Sequence, residues 1–172
     1  MVFLLVIAGF ETTVHLISNG VLSLLEHPEQ LARLRADPQL VDSAVEEILR
    51  FNGPIQGTKL CFAREPVTLH GVTIEKGAAV VPLLGAANHD PSVFENPEVF
   101  DIARSPNRHM GFGHGPHYCL GANLAKLETR IALKQLFERF PDLVLASPGE
   151  LKLQRIPLWH RYENLPVILR PS

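Results

Sequence analysis

Between Gly111 and Gly121 the sequence reads GFGHGPHYCLG, and this stretch limits the fold more than any other. Gly111, Gly113 and Gly115 recur at every second position, so the backbone can take positive φ angles and come close to a partner. Cys119 follows where an apolar helical pattern begins. Amide donors and the positive end of a helix favour a thiolate there. Phe112 can shield the sulfur, and Gly121 leaves room for a flat group over the helix start. An isolated free cysteine usually reads as a small buried hydrophobe. A glycine-flanked thiol at a helix start reads instead as an activated ligand.

The opposite end of the chain carries a second constraint. Residues 1–25 read as one long helix, apolar on nearly all sides, of the kind found in the middle of a larger protein. The opening MVFLLVIAGF lacks the basic start and cleavage site of a signal peptide, and it is too short to span a bilayer. A chain that starts inside such a helix reads as a truncated one. Within it, Gly9 costs about 1 kcal/mol relative to alanine, and Glu11 is unfavourable in apolar surroundings unless solvated or paired. Two unfavourable residues this close suggest a site around Ala8-Gly9-Phe10-Glu11-Thr12-Thr13. The Thr12 hydroxyl can also bond back to the Ala8 carbonyl.

Between these ends, His27-Pro28 closes the first helix and Pro28 opens a second, to Arg35. A third helix spans 39–52, with Val41, Ala44, Val45, Ile48 and Leu49 on one stripe, and Asn52-Gly53-Pro54 stops it. Residues 56–84 form a β region. A tight hairpin is centred on His70-Gly71, a turn falls at Glu75-Lys76-Gly77, and Ala79 to Leu84 reads as a buried strand. Asn88 to Asn107 is irregular. The cysteine loop, 111–121, leads into a helix over 119–140 with Leu120, Leu124, Leu127 and Ile131 on one face, and LPVIL near the end is strand-like. The expected fold is mainly α with small β-sheets (α+β).

The 172 residues are 46% hydrophobic with a formal net charge of −2, enough apolar material for a core. The charge gives no basic patch for nucleic acid or an anionic membrane surface. Two cysteines do not make a disulfide framework and suit a reducing cytoplasm.

The loop resembles the cysteine-ligand signature of the cytochrome P-450 superfamily. That pattern is Phe, two variable residues, Gly, a variable residue, often His or Arg, a variable residue, Cys, a variable residue, Gly. Phe112, Gly115, His117, Cys119 and Gly121 fill its fixed places. Glu47-Ile48-Leu49-Arg50 matches the Glu-x-x-Arg of the same family. A Glu–Arg pair three apart on a helix is by itself a weak signal. The resemblance implies a buried network of Glu47, Arg50 and Arg104 that holds the cysteine loop. Ala8 to Thr13 resembles the family's distal-helix motif, where a local widening of the helix admits dioxygen and an acid–alcohol pair relays protons.

The resemblance therefore implies the C-terminal half of a cytochrome P-450 fold, starting in the distal helix and covering essentially all of residues 1–172. It implies haem b as cofactor and Cys119 as the iron ligand. Ala8, Gly9, Phe112, Gly113 and Gly121 would surround the macrocycle. Arg64, His117 and His109 would meet the propionates, and Glu11 and Thr12 would deliver protons. The implied activity is monooxygenation of a small apolar substrate by dioxygen. Electrons would come from NAD(P)H through a separate ferredoxin or flavoprotein reductase, because no dinucleotide-binding fingerprint exists here. Arg108 and Lys126 are candidates for docking that partner, and residues after Gln56 together with 156–162 for lining the substrate pocket. Two other readings stand beside this one. The chain could be a non-catalytic haem-binding fragment. Alternatively, His109, His114, His117 and Cys119 could bind zinc in a structural site, although the glycines suit a macrocycle better.

Overall fold

A computed structural model describes residues 2–169. Helix α1 (Val2–Glu26) runs as one unbroken α-helix, and Met1 lies outside the described residues. The implied local widening near Gly9 is not seen. His27 ends α1, with its Nδ1 bonded to the Ser23 carbonyl at 2.8 Å. Helix α2 (Pro28–Ala36) begins on proline, whose missing N–H would be unpaired at that position anyway. Asp37 then caps a short 3-10 turn, Pro38–Leu40, by accepting from the Gln39 amide, and α3 (Val41–Asn52) follows. Helix α4 (Leu84–Asn88) is short, and α5 (Ala122–Arg139) is the last.

Three two-stranded antiparallel sheets are small. β1 (Cys61–Phe62) pairs β4 (Ala79–Val80), and β2 (Val67–Leu69) pairs β3 (Val72–Ile74). β5 (Val144–Leu145) pairs β6 (Val167–Ile168). His70 and Gly71 both take positive φ (47° and 80°), the combination that a two-residue hairpin needs to match strand twist. The expected buried strand at 79–84 is corrected. Only Ala79–Val80 pairs, Ala79 is exposed, and Leu84 already starts α4.

The core lies where α1, α3 and α5 meet. Leu16, Val21, Leu24, Ala44, Val45, Ile48, Leu49, Leu133 and Phe137 are buried together with Phe100 and Ile102 of the irregular segment. Each Val, Leu, Ile or Phe among them contributes about 1.5–3 kcal/mol when fully buried. Gly20 lets α1 approach α3, since a Cβ there would stand 3.0 Å from Ile48 Cδ1.

Helix α5 corrects the sequence reading of its face. It packs through Ala122, Thr129, Leu133 and Phe137, whereas Leu124, Leu127 and Ile131 are exposed, as is Leu120 just before it. Nothing among the described residues covers that stripe. No helix of the described residues is long and apolar enough to cross a membrane.

Candidate active site

A cavity of about 500 Å³ separates α1 from the loop that precedes α5. Ala8, Thr12 and Thr13 of α1 form part of one wall, and Gly111, Phe112, Gly113, His114, His117 and Cys119 form part of another. Pro54, Ile55, Gly57, Thr58, Lys59 and Leu84 contribute a third side.

The loop geometry follows from its glycines. Gly113 and Gly115 have φ of 73° and 72°, and a Cβ added at either would meet nothing within 4 Å. The chain then tightens into a single 3-10 turn, Gly115–His117, closed by Tyr118 N–H donating to the Gly115 carbonyl at 3.0 Å. Cys119 N–H donates back to the Phe112 carbonyl at 3.0 Å, so the two ends of the loop are tied at the cysteine. The Cys119 side chain is left exposed on the cavity. Gly121 caps α5, and a Cβ there would reach 4.0 Å from Cys119 Sγ. The helix thus starts at Ala122, three residues later than the sequence pattern suggested. Phe112 stands edge-on to Tyr118, with ring centroids 6.2 Å apart.

Behind the loop, Glu47 and Arg50 are wholly buried. Arg50 uses all five N–H groups. Nε and Nη2 donate to the two Glu47 oxygens at 2.8 Å each, Nη1 to the Asn88 and Pro97 carbonyls, and Nη2 also to Val99. Arg104 Nε reaches Glu47 Oε1 at 3.2 Å, as the resemblance implied, and its other nitrogens hold the carbonyls of Glu95, Asn96 and Val99. Asp101 N–H and Asn107 Nδ2 also donate to Glu47. Asn107 escaped the sequence reading. Its side chain has no periodic signature in an irregular segment.

Thr12 Oγ1 donates to the Ala8 carbonyl at 2.6 Å, the expected back-bond, while the residue still lines the cavity. Glu11 points elsewhere and pairs with Arg161, 150 positions away. The Arg161 guanidinium carbon stands over the Trp159 ring, 4.8 Å from its centroid. No sequence pattern announces a partner at that separation.

Three propionate candidates fare differently. His117 is in the cavity wall. Arg64 is not. It is exposed at a bend just past β1, and Lys59, ahead of that strand, takes the wall position instead. His109 is also outside the wall. Its Nε2 faces Glu46 Oε2 at 2.7 Å and its Nδ1 accepts from the Gly111 amide at 3.0 Å, so neither nitrogen is left for a carboxylate ligand. Glu46 also meets Lys126 at 2.7 Å. Burial pushes its carboxyl up, but the hydrogen bonds from His109 and Lys126 outweigh this and hold it below its ordinary value. His109 thereby leaves the proposed zinc set. Among the described residues no three His, Cys, Asp or Glu side chains converge to hold a metal ion.

The cytochrome P450 family model matches residues 1–149. The chain belongs to the cytochrome P450 family. This P450 chain is 54% identical to the biotin biosynthesis cytochrome P450 of Bacillus subtilis, over 95% of its own length and 41% of the relative's. It is 49% identical to the cytochrome P450 monooxygenase PikC of Streptomyces venezuelae, over 97% of its length and 40% of that protein's. Among solved structures it resembles P450BioI in complex with hexadec-9Z-enoic acid ligated acyl carrier protein. There the TM-score is 0.91 at 54% identity, covering 95% of this chain and 42% of the other. The Bacillus subtilis bacillaene polyketide synthase cytochrome P450 PksS gives a TM-score of 0.95 at 44% identity, covering 99% and 44%. The P450 chain therefore spans about two fifths of the length of these relatives. Its fold is the C-terminal portion of the P450 architecture, mainly helical with small sheets.

Two histidines on the Arg161 side of the P450 chain make its stability depend on pH. Burial pushes the His160 imidazole below its ordinary 6.5. Burial and then the Arg161 charge do the same to His15, against a smaller opposing effect of Glu11. The folded chain thus binds fewer protons than the unfolded chain just below pH 6.5, and stability falls as pH drops through that window. The urea midpoint is expected to decline between about pH 7 and pH 5.5, and less so in His160→Gln. An identical slope in that variant would remove His160 from the effect.

Proposed function

We propose that this chain carries the thiolate side of a haem-thiolate monooxygenase that inserts one atom of dioxygen into a small apolar organic substrate. One observation carries the reading: the exposed Cys119 thiol and the Thr12 hydroxyl open on the same cavity. Its glycine wall suits haem b, because a wide flat group meets only backbone at Gly113, where no side chain stands within reach. When bound, the haem supplies oxygen activation and oxygen-atom transfer, driven by electrons from outside.

The chain's own residues set the conditions for that chemistry. Cys119 supplies the thiolate ligand, and Phe112 and Tyr118 stand beside the loop that presents it. Ala8 keeps the facing helix narrow, whereas Gly9 lies outside the cavity wall. His117 keeps its role as a donor to the propionates, and Lys59 takes the place first assigned to Arg64 and His109. Thr12 holds a proton at Oγ1, within the cavity. Glu11 lies outside the cavity wall, half exposed and held by Arg161, at the solvent end of that proton route. Glu47, Arg50 and Arg104 fix the irregular segment on which the loop is mounted. A separate ferredoxin or flavoprotein reductase delivers electrons from NAD(P)H in the cytoplasm. The apolar substrate class agrees with the fatty acid carried in the P450BioI complex. Pro54, Ile55, Gly57, Thr58 and Lys59 line the cavity as candidate substrate contacts, whereas residues 156–162 do not.

A second reading, a haem-binding chain without turnover, is favoured by the uncovered Leu120, Leu124, Leu127 and Ile131 stripe. One experiment addresses both. The 172-residue protein, mixed with haem, reduced and treated with carbon monoxide, is expected to show the red-shifted Soret band of thiolate-ligated iron. Turnover of a fatty acid with a ferredoxin and its reductase would then favour the enzyme, and the band without turnover would favour the second reading. Haem uptake without that band would overturn Cys119 as the ligand, and no haem uptake at all would overturn both readings.

A further inference from the structure

Glu46 and Glu47 are neighbours on α3, and consecutive helical residues point about 100° apart. Glu47 turns into the buried arginine network, whereas Glu46 turns toward the cysteine loop. There it meets His109, whose side chain is 5% exposed.

The hydrogen bonds fix the tautomer of that imidazole. Gly111 N–H donates to Nδ1, so Nδ1 carries no proton. The ring proton of the neutral imidazole is therefore on Nε2, where it donates to Glu46 Oε2 at 2.7 Å. A carboxylate is an acceptor only, which selects this tautomer over the other. The second Glu46 oxygen accepts from Lys126 Nζ of α5, whose ammonium stands 5.5 Å from the Phe112 ring centroid. Gly111 fits closely, since a Cβ there would meet both His109 Nδ1 and the Leu49 carbonyl at 3.1 Å. The next residue, Phe112, supplies the carbonyl that holds the Cys119 amide. A continuous chain of bonds thus runs from Lys126 through Glu46, His109, Gly111 and Phe112 to Cys119.

We infer that Glu46 and His109 are positioning residues for the Cys119 thiolate: Glu46 fixes the Nε2–H tautomer of His109, leaving Nδ1 to hold the Gly111 amide and, through Phe112, the cysteine. This rests on Cys119 being the iron ligand. His109 thus acts through the loop backbone and not on the cofactor directly.

The two amide analogues of histidine separate this role from simple packing. In His109→Asn the Oδ1 atom takes the place of Nδ1 and still accepts from Gly111. In His109→Gln the Nε2 atom still reaches Glu46, but Gly111 loses its acceptor. Hydrogen exchange at the Gly111 amide, followed by NMR on the full chain without cofactor, is expected to match wild type in His109→Asn. Exchange should be about fivefold faster in His109→Gln, the effect of one lost hydrogen bond. Ring nitrogen shifts of wild-type His109 should report a bare Nδ1. Glu46→Gln can donate as well as accept, so it should give a mixture of tautomers, and it carries the comparison if a His109 variant fails to fold.

With haem added, the thiolate-type ferrous–CO band should persist in His109→Asn and convert to the neutral-thiol form faster in His109→Gln. Equal Gly111 exchange in all variants, a protonated Nδ1 in wild type, or equal band stability in both His109 variants would overturn the inference. A wild-type protein that takes up haem with no thiolate-type band would overturn the ligand assignment itself. The exchange data, collected without haem, keep the two failures apart.

Discussion

Cys119→Ala is expected to remove the thiolate-type ferrous–CO band completely while leaving the fold almost unchanged. Both halves follow from where the side chain sits. The thiol is exposed on the cavity, so deleting its sulfur opens no hole in the core. A surface truncation of this kind changes stability by about 0.5 kcal/mol or less. Nothing else nearby can replace the sulfur anion. The other thiol, Cys61, lies on β1 outside the cavity wall, with its Sγ 3.6 Å from the Lys59 carbonyl. Cys61→Ala is therefore the control, expected to keep the band and the urea midpoint. His114 and His117 share the wall, so haem can still be retained in Cys119→Ala through nitrogen, but with a different spectrum. The test is the reduced, carbon monoxide-treated difference spectrum of both variants beside their unfolding curves. A thiolate-type band surviving in Cys119→Ala would refute the assignment.

What could be read from the sequence, and what could not, divides along one physical line. Features made by neighbours in the chain were legible. The Thr12 back-bond, the His70-Gly71 hairpin, the buried stripe of α3 and the glycine geometry of the cysteine loop all depend on residues a few positions apart. The family resemblance added one long-range feature, the meeting of Arg104 with Glu47. Features made by distant residues with no motif were not legible. Glu11 finds Arg161, Glu46 finds His109, and Asn107 finds Glu47 across irregular chain. Helix α5 shows a third case. Its leucine stripe is strongly periodic, but periodicity marks an apolar face without saying what covers it. The face packed within this chain uses Ala122 and Thr129, small residues that a hydrophobicity count passes over, with Leu133 and Phe137. The strand at 79–84 failed for a related reason. A short apolar run looks alike in a strand and at the start of a buried helix, and Leu84 proved to be the latter.

The second large effect is expected at Glu47. Glu47→Gln removes one negative charge from between two arginines and keeps the size of the side chain. Arg50, wholly buried, and Arg104, 11% exposed at its side chain, would then face one another without a counter-charge. Removing one partner of a buried pair in this way costs about 3–5 kcal/mol. The margin of a typical fold is about 5–15 kcal/mol, so a large share of it would go. Arg50→Lys is expected to be nearly as damaging, although it preserves charge. Five N–H groups are in use at Arg50, two on Glu47 oxygens and three on the Asn88, Pro97 and Val99 carbonyls. An ammonium has three donors and no planar fork, so acceptors would be left unsatisfied in the interior. The comparison that decides the matter is Arg130→Ala, which breaks the exposed pair with Asp42 at the same 2.8 Å separation. Its side chains are 40% and 72% exposed, and such pairs contribute about 0–1 kcal/mol. Urea midpoints should therefore fall steeply in Glu47→Gln and Arg50→Lys and hardly move in Arg130→Ala. Because the carbonyls held by Arg50 and Arg104 belong to the segment leading into the cysteine loop, haem uptake should fail with the fold in the first two variants. A Glu47→Gln protein with a wild-type midpoint would mean that burial does not govern this network.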